Sequence, residues 1–314
     1  MQGINLNEVL NRLRNFETIL SSQFVGREKE VEAILISAIA QEPLLLVGPP
    51  GTGKSQLIVR FRQLLGVMDS EYFEYMLTKF TEPSEILGPL DLRRMKSGEY
   101  HRKTAGKLPE AKVVFLDEVF KSNSAILNTL LTILNERKFY QDGHPVSVPL
   151  KILLAATNEI PAVSDLEALK DRFVLKVLVE RVSQDRWEEL LQAGFRQDRS
   201  TAQVYNSVLD LSELESLHEY FMETLKELAE TGNDPYFPAG LYQEFKRLIR
   251  SMMQDYSVEL SDRKLIKFYK LIRARALLRR GGGVEREDLK LLCYAGNLPE
   301  ELEFLKVKIP ELLD

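Results

Sequence analysis

The sequence predicts an α/β fold: a five-stranded parallel sheet flanked by helices, followed by a small all-helical domain. Three observations lead there. Five apolar runs of strand length lie between residues 43 and 180 and mostly alternate with stretches that are apolar at helical spacing. Each run is apolar on both faces, as a parallel sheet covered on both sides requires. Past Arg181 the strand signal fades and helical periodicity continues, broken at Gly232-Asn233-Asp234-Pro235 and at Gly281-Gly282-Gly283. The expected division is 1–182 for the N-terminal helices and α/β domain and 183–314 for the helical domain.

Residues 5–20 place Leu6, Val9, Leu10, Leu13, Phe16, Ile19 and Leu20 near one helical face. Phe24-Val25-Gly26-Arg27-Glu28 reads as a turn-like link. A second helix is predicted over 27–41, then a strand at Pro43–Val47 and a helix ended by Gly66. Glu71–Leu77 reads as a strand, and Pro83–Gly88 as a turn or two of helix with Pro early and Gly last. Residues 89–108 read as a hairpin or loop tipped by Ser97-Gly98. Ala111–Leu116 is a strand, Ser124–Asn135 a helix, and Lys138–Val148 a hairpin turning at Asp142-Gly143. Lys151–Ala156 and Phe173–Val179 are strands, with a short helix at 166–170 between them. Helices follow at Leu211–Glu230, Ala239–Gln254, Asp262–Arg280 and Arg286–Tyr294. No element is read beyond Tyr294.

Composition excludes several classes. Of 314 residues, 44% are hydrophobic and 28% charged, which is ordinary globular usage. The net charge is −5 and the isoelectric point about 5.6, which argues against a strongly basic nucleic-acid binder. The single cysteine, Cys293, excludes an internal disulfide framework and a Cys-rich metal site, and is expected as a buried small apolar residue. His101, His144 and His218 lack metal-ligand spacing. Trp187 is expected to pack at the domain junction. Met1-Gln2-Gly3-Ile4-Asn5 has neither a basic nor an apolar leader region, and no stretch reaches membrane-spanning length, so a cytoplasmic protein without direct membrane insertion is expected.

The chemistry centres on Gly48-Pro49-Pro50-Gly51-Thr52-Gly53-Lys54-Ser55, which fits G-x-x-x-x-G-K-[ST] between a strand and a helix. Glycines let successive N–H groups point at one anion, and the helix start near Gly53 adds its positive end. Lys54 reaches the outer phosphates and Ser55 offers a hydroxyl to Mg²⁺. The expected nucleotide-binding residues are therefore Gly48, Pro49, Pro50, Gly51, Thr52, Gly53, Lys54 and Ser55, with Gln56 after them. The run Val113-Val114-Phe115-Leu116 ends in Asp117-Glu118, at the carboxyl end where an open α/β sheet binds ligands. Neighbouring residues on a strand point to opposite sides, so Asp117 is assigned to Mg²⁺ and Glu118 to the attacking water. Lys151–Ala156 ends in Thr157-Asn158. Asn158 either orients water and the γ-phosphate or caps a turn. Arg172, in Leu169-Lys170-Asp171-Arg172-Phe173, has a type suited to developing phosphoryl charge, but a surface arginine is the commoner case.

In this order, and before a helical domain, these features resemble an AAA+ ATPase. Phe80-Thr81-Glu82-Pro83-Ser84-Glu85-Ile86-Leu87-Gly88-Pro89-Leu90, Phe115-Leu116-Asp117-Glu118-Val119 and Ala125–Arg137 resemble the MoxR family, and within it the RavA branch. The resemblance implies ATP and Mg²⁺ as cofactors. Lys54 and Ser55 match its Walker A residues, and Asp117 and Glu118 its Walker B. Asn158 matches sensor 1. Arg172 matches an arginine finger reaching a neighbour's ATP in a hexameric ring. Arg263 in Ser261-Asp262-Arg263-Lys264 resembles sensor 2 of a lid. Val25 and Gly26 match the segment that lies against adenine. Residues 89–108 and the Asp142-Gly143 hairpin match two inserts that face a pore or client. The family further implies a partner with a von Willebrand A domain and a chaperone-like role on a client protein. The basic residues Arg93, Arg94, Lys96, Arg102, Lys103 and Lys107 either form a solvated loop or meet acidic protein or nucleic acid. Two other functions fit the loop: a nucleic-acid motor related to replicative helicases, which the isoelectric point disfavours, and an ATP-gated scaffold with little turnover.

Overall fold

The computed structural model describes residues 5–163, 166–200 and 207–314, with 196–200 as backbone only. The chain start Met1–Ile4, read above for a leader, lies outside them. Helices α1 (Leu6–Gln23) and α2 (Glu28–Ala40) precede β1 (Leu44–Val47). Then come α3 (Lys54–Leu64), β2 (Tyr72–Met76), α4 (Pro83–Leu87), α5 (Leu92–Met95), β3 (Val113–Asp117) and α6 (Ser124–Glu136). A hairpin of β4 (Lys138–Gln141) and β5 (His144–Ser147) follows, then β6 (Ile152–Thr157), α7 (Glu167–Arg172) and β7 (Leu175–Leu178). The rest is helical: α8 (Trp187–Ser200), α9 (Leu211–Thr224), α10 (Lys226–Thr231), α11 (Ala239–Gln254), α12 (Asp262–Arg280) and α13 (Pro299–Leu313).

The sheet has five parallel strands in the order β2-β3-β6-β1-β7, as the apolar runs predict. Alternation along each strand feeds two cores. Leu44 and Leu46, Phe115 and Leu154 join the core that α1, α2, α3, α9 and α12 cover. Leu45, Val114 and Leu153 join the core under α4, α6 and α7. Because β6 lies between β3 and β1, the residues after those three strands converge at one edge.

The helical region docks through α12. Its apolar face shares a continuous core with α1 and α2. Its cations meet their acids: Lys270 and Lys267 meet Glu42 at 2.9 and 2.8 Å, Arg275 meets Glu32 at 2.9 Å, and Arg279 meets Glu17 at 2.9 Å. Burial raises the Glu42 carboxyl, but Lys270 and Lys267 outweigh it and leave it below the usual range.

The 89–108 segment is less of a plain hairpin than predicted. It holds the short helix α5, capped by Asp91, and closes with one antiparallel bridge, Leu90 to Arg102. Two of its six cations serve the segment's base, since Arg102 donates to Gly88 O at 2.9 Å and Lys107 to Glu85 O at 3.0 Å. The β4–β5 hairpin turns at Asp142 and Gly143, both at positive φ (51° and 75°). The two inserts are joined: Asp142 Oδ1 accepts from Tyr100 N at 3.0 Å, and Asp142 N donates to Tyr100 O at 3.1 Å.

Elsewhere the elements depart from the reading at identifiable points. The helix expected over 211–230 breaks at Leu225, whose N–H bonds back three residues to Met222 O and whose side chain packs on the core. Arg286–Tyr294 winds as a 3₁₀ helix. Helix α13 lies beyond the last element read: Pro299 sits at its start, where no N–H is needed, and Pro310 lies inside it, where it forgoes one helical hydrogen bond. Trp187 is not packed at a junction: it is 53% exposed at the start of α8. Cys293 is half-buried, and burial pushes its thiol up to about 12. No helix among the described residues is long and apolar enough to cross a membrane.

Candidate active site

The loop between β1 and α3 is built from tight backbone. Gly48 N donates to Thr157 O at 3.1 Å, rooting the loop beside β6. A Cβ on Gly48 would lie 2.2 Å from Val179 O, so only glycine lets β1 end against the strand beside it. Gly51 and Gly53 take positive φ (78° and 81°), and an added Cβ there would meet nothing within 4 Å. That open side is the concave backbone a polyphosphate uses. Thr52 is held twice: its hydroxyl donates to Pro49 O at 2.9 Å, and its carbonyl accepts from the Arg27 guanidinium at 3.1 and 3.2 Å. The sequence reading missed Arg27; its place directly after Val25-Gly26 was the available signal. Pro49 and Pro50 of the loop are exposed, as is Gln56 in α3.

Lys54 opens α3 and lies almost wholly buried. Its Nζ reaches back to Gly48 O at 2.6 Å, Pro49 O at 2.9 Å and Asn158 Oδ1 at 3.4 Å. Burial pulls its ammonium below the ordinary value, while the charges of Asp117 and Glu118 oppose that. Ser55 Oγ donates to Asp117 Oδ2 at 3.1 Å. The other Asp117 oxygen accepts the Glu118 N–H at 2.9 Å.

Glu118 leaves the strand in the left-handed region, at φ 53° and ψ 44°. Such backbone costs a non-glycine residue about 1–2 kcal/mol and persists where the surroundings impose it. It turns the side chain toward Asn158, whose Nδ2 donates to Glu118 Oε1. Lys121 Nζ meets the same oxygen at 3.2 Å. Among the described residues, Glu118 Oε2 is buried with no hydrogen-bond partner. A buried carboxylate oxygen left unpaired is costly, and it is the arrangement a general base needs toward an incoming water.

Gly26, but not Val25, lines a cavity beside the loop. This cavity of about 450 Å³ is lined by Gly26, Arg27, Lys176, Arg186, Cys293, Tyr294 and Lys306, among others, between α2, the end of β7 and helices α12 and α13. Arg27 spans from this cavity to the loop through its bonds to Thr52 O.

The fold thus brings Lys54, Ser55, Asp117, Glu118 and Asn158 together at one sheet edge. It does not bring Arg172 and Arg263 to them within the chain. Arg172 Nη1 donates to Asp171 Oδ2 at 2.9 Å, and Arg172 Nε is buried without a partner. Burial and the nearby Arg263 lower the Arg172 guanidinium from its ordinary value. Arg263 is exposed in the first turn of α12. The residues at the loop suit Mg²⁺ with a triphosphate: an open glycine cradle, two hard oxygen donors 3.1 Å apart, a buried lysine and an unpaired carboxylate oxygen.

Comparison with known proteins agrees with this geometry. The description of the MoxR domain in MoxR-vWA-beta-propeller ternary systems matches residues 11–219. An uncharacterised protein of Methanocaldococcus jannaschii is 32% identical over 291 residues, covering 92% of this chain and 71% of that protein. Chaperone MoxR1 of Mycobacterium tuberculosis is 26% identical over 171 residues, 53% of this chain and 44% of that one. A crystal structure of a candidate ATPase from Cytophaga hutchinsonii superposes with a TM-score of 0.72 over 98% of this chain and 94% of its own, at 16% identity, a likeness of fold. The loop, the strand-end carboxylates and the match across two thirds of the sequence together place the chain in the MoxR family of AAA+ ATPases.

Proposed function

We propose that the chain binds ATP with Mg²⁺ in the Gly48–Ser55 loop and hydrolyses it. Glu118 carries this reading: its unpaired, buried Oε2 lies beside Asn158 and one residue from the Ser55–Asp117 pair. Ser55 and Asp117 would hold Mg²⁺, which when bound neutralises charge on the phosphate oxygens. The loop N–H groups and Lys54 bind the phosphates. Asn158 holds the Glu118 carboxylate in place, and Glu118 takes the proton of the attacking water. The cavity at Gly26 and Arg27, next in sequence to Val25, is proposed for adenine.

Among the described residues Arg172 bonds Asp171 and makes no bond to the Gly48–Ser55 loop, which supports a role at a neighbouring copy in a ring, a head-to-tail contact that closes. A hexamer, and the RavA branch in particular, follow from the resemblance. Arg263 would serve the same interface or its own lid. The family's ternary systems support a von Willebrand A domain partner, and the MoxR1 relative supports a chaperone-like action on a client in the cytoplasm.

Glu118→Gln tests the assignment. The variant keeps the hydrogen bond from Asn158 and removes the base. ATP should bind with unchanged Kd while turnover falls about 10²–10⁴-fold. Turnover within about threefold of wild type would overturn the role of Glu118.

A further inference from the structure

Arg172 and Arg263 meet at a joint that the loop chemistry does not use. A single carboxylate spans it. Asp171 Oδ2 accepts from Arg172 Nη1 at 2.9 Å, and Asp171 Oδ1 accepts from Ser261 Oγ at 2.9 Å. Ser261 is the N-cap of α12 and accepts from Lys264 N at 3.2 Å. The end of α7, which carries Arg172, is therefore tied to the first turn of α12, which carries Arg263.

Buried charge stiffens the joint. Lys176 of β7 and Lys264 of α12 are fully buried, and both donate to Asn297 Oδ1, at 3.3 and 2.9 Å. Asn297 N in turn donates to Glu301 Oε2 at 2.6 Å. Asp171, Glu301 and Glu167 supply the compensating negative charge around the two ammonium groups. Burial and the neighbouring Lys264 push the Lys176 amine well below its ordinary value, and because the two amines share one acceptor, drawing them apart leaves one without its partner. The α7–β7 corner and the start of α12 are bound to move together.

We propose that Asp171 and Ser261 are positioning residues that slave Arg172 to the lid. The first turn of α12, set by the nucleotide in a subunit's own site, fixes where that subunit's Arg172 stands for its neighbour. The proposal rests on the reading of Arg172 as a residue acting between copies. It assigns the path by which one site senses the next: lid, Ser261, Asp171, Arg172.

The test is the ATP dependence of turnover by the assembled full chain. Ser261→Thr keeps the hydroxyl. Ser261→Asp keeps a good helix cap but sets a carboxylate against Asp171. Asp171→Asn breaks the other half, keeping an oxygen for Ser261 and losing the ion pair to Arg172. Wild type and Ser261→Thr should respond sigmoidally, whereas Ser261→Asp and Asp171→Asn should each drop to a Hill coefficient of about 1. ATP Kd should stay unchanged, and the double variant should be no worse than either single one. A merely structural role would lower thermal stability and leave the Hill coefficient alone, and the Thr variant controls for folding. Cooperativity retained in both broken variants overturns the proposal. So does a wild type that hydrolyses ATP without cooperativity, since nothing is then transmitted. A wild type that assembles but never hydrolyses ATP overturns the functional reading beneath it, and the proposal with it.

Discussion

Lys264→Met is the sharpest test of the buried joint, because its outcome has a sign that contact counting would get wrong. Lys264 is fully buried, and burial pushes its ammonium from 10.5 down to about 8, against the pull of Asp171, Glu301 and Glu167. That gap of about 2.5 units, at about 1.36 kcal/mol each, means folding disfavours the charged form by about 3 kcal/mol. The unfolded chain holds this proton up to pH 10.5, whereas the folded chain releases it near pH 8. Between those values the unfolded state binds more protons, so stability rises with pH across the window. Below pH 8 the full cost is present. Methionine has a similar length, fills the space and needs no partner, and Asn297 Oδ1 keeps its bond from Lys176. Lys264→Met should therefore be more stable than wild type at pH 7 by up to about 3 kcal/mol, several degrees in Tm. The advantage should shrink as pH rises and vanish by about pH 10.5. Denaturant unfolding of both proteins at pH 7, 8.5 and 10 measures it, and taking the difference cancels titrations common to both. A variant less stable than wild type at pH 7 would show that the bond to Asn297 outweighs desolvation. A pH-independent difference would equally refute the argument.

Arg172→Ala should bind ATP normally and lose turnover, and mixing it with Lys54→Ala should restore part of the activity. The inactive-loop subunits supply Arg172 and the arginine-less subunits supply the loop. ATPase titration of the mixture checks this, and no recovery at any ratio would sink action between copies. Gly48→Ala should destabilise more than Gly51→Ala. The first drives a methyl to 2.2 Å from Val179 O, and overpacking against backbone costs about 1–3 kcal/mol or more. The second meets nothing and carries only the strain of positive φ, about 1 kcal/mol. Thermal melts rank the pair, and a Gly48→Ala melting point equal to wild type would refute the steric account.

Much of the fold was legible because its determinants are local. The apolar runs within Pro43–Val47, Ala111–Leu116 and Lys151–Ala156 announce the strands Leu44–Val47, Val113–Asp117 and Ile152–Thr157. Ala239–Gln254 and Asp262–Arg280 were readable to their ends through helical spacing and flanking turn or cap residues. Asp142-Gly143 specifies its hairpin by backbone preference alone. The reading failed where a local signal was outweighed. Helix α13 was not read; Pro299 sits at its start, where a helix tolerates proline, whereas Pro310 lies inside it. A continuous helical pattern breaks at Leu225, whose partly buried side chain packs against the core. Trp187 looked like packing material, and the fold left it half exposed.

At the site the same division holds. Loop, carboxylates and Asn158 could be named because each ends a recognisable strand, and strand order then carries them to one edge. The sequence by itself determined the residue types, the parallel α/β class and the family. Only the tertiary structure decided that Glu118 Oε2 is left unpaired and that Arg27 reaches Thr52. It alone showed that Asp171, which pairs with Arg172, also accepts from Ser261 at the start of α12. The bonds of Arg27 to Thr52 and of Ser261 to Asp171 join residues far apart in the chain, and nothing local encodes such a partner.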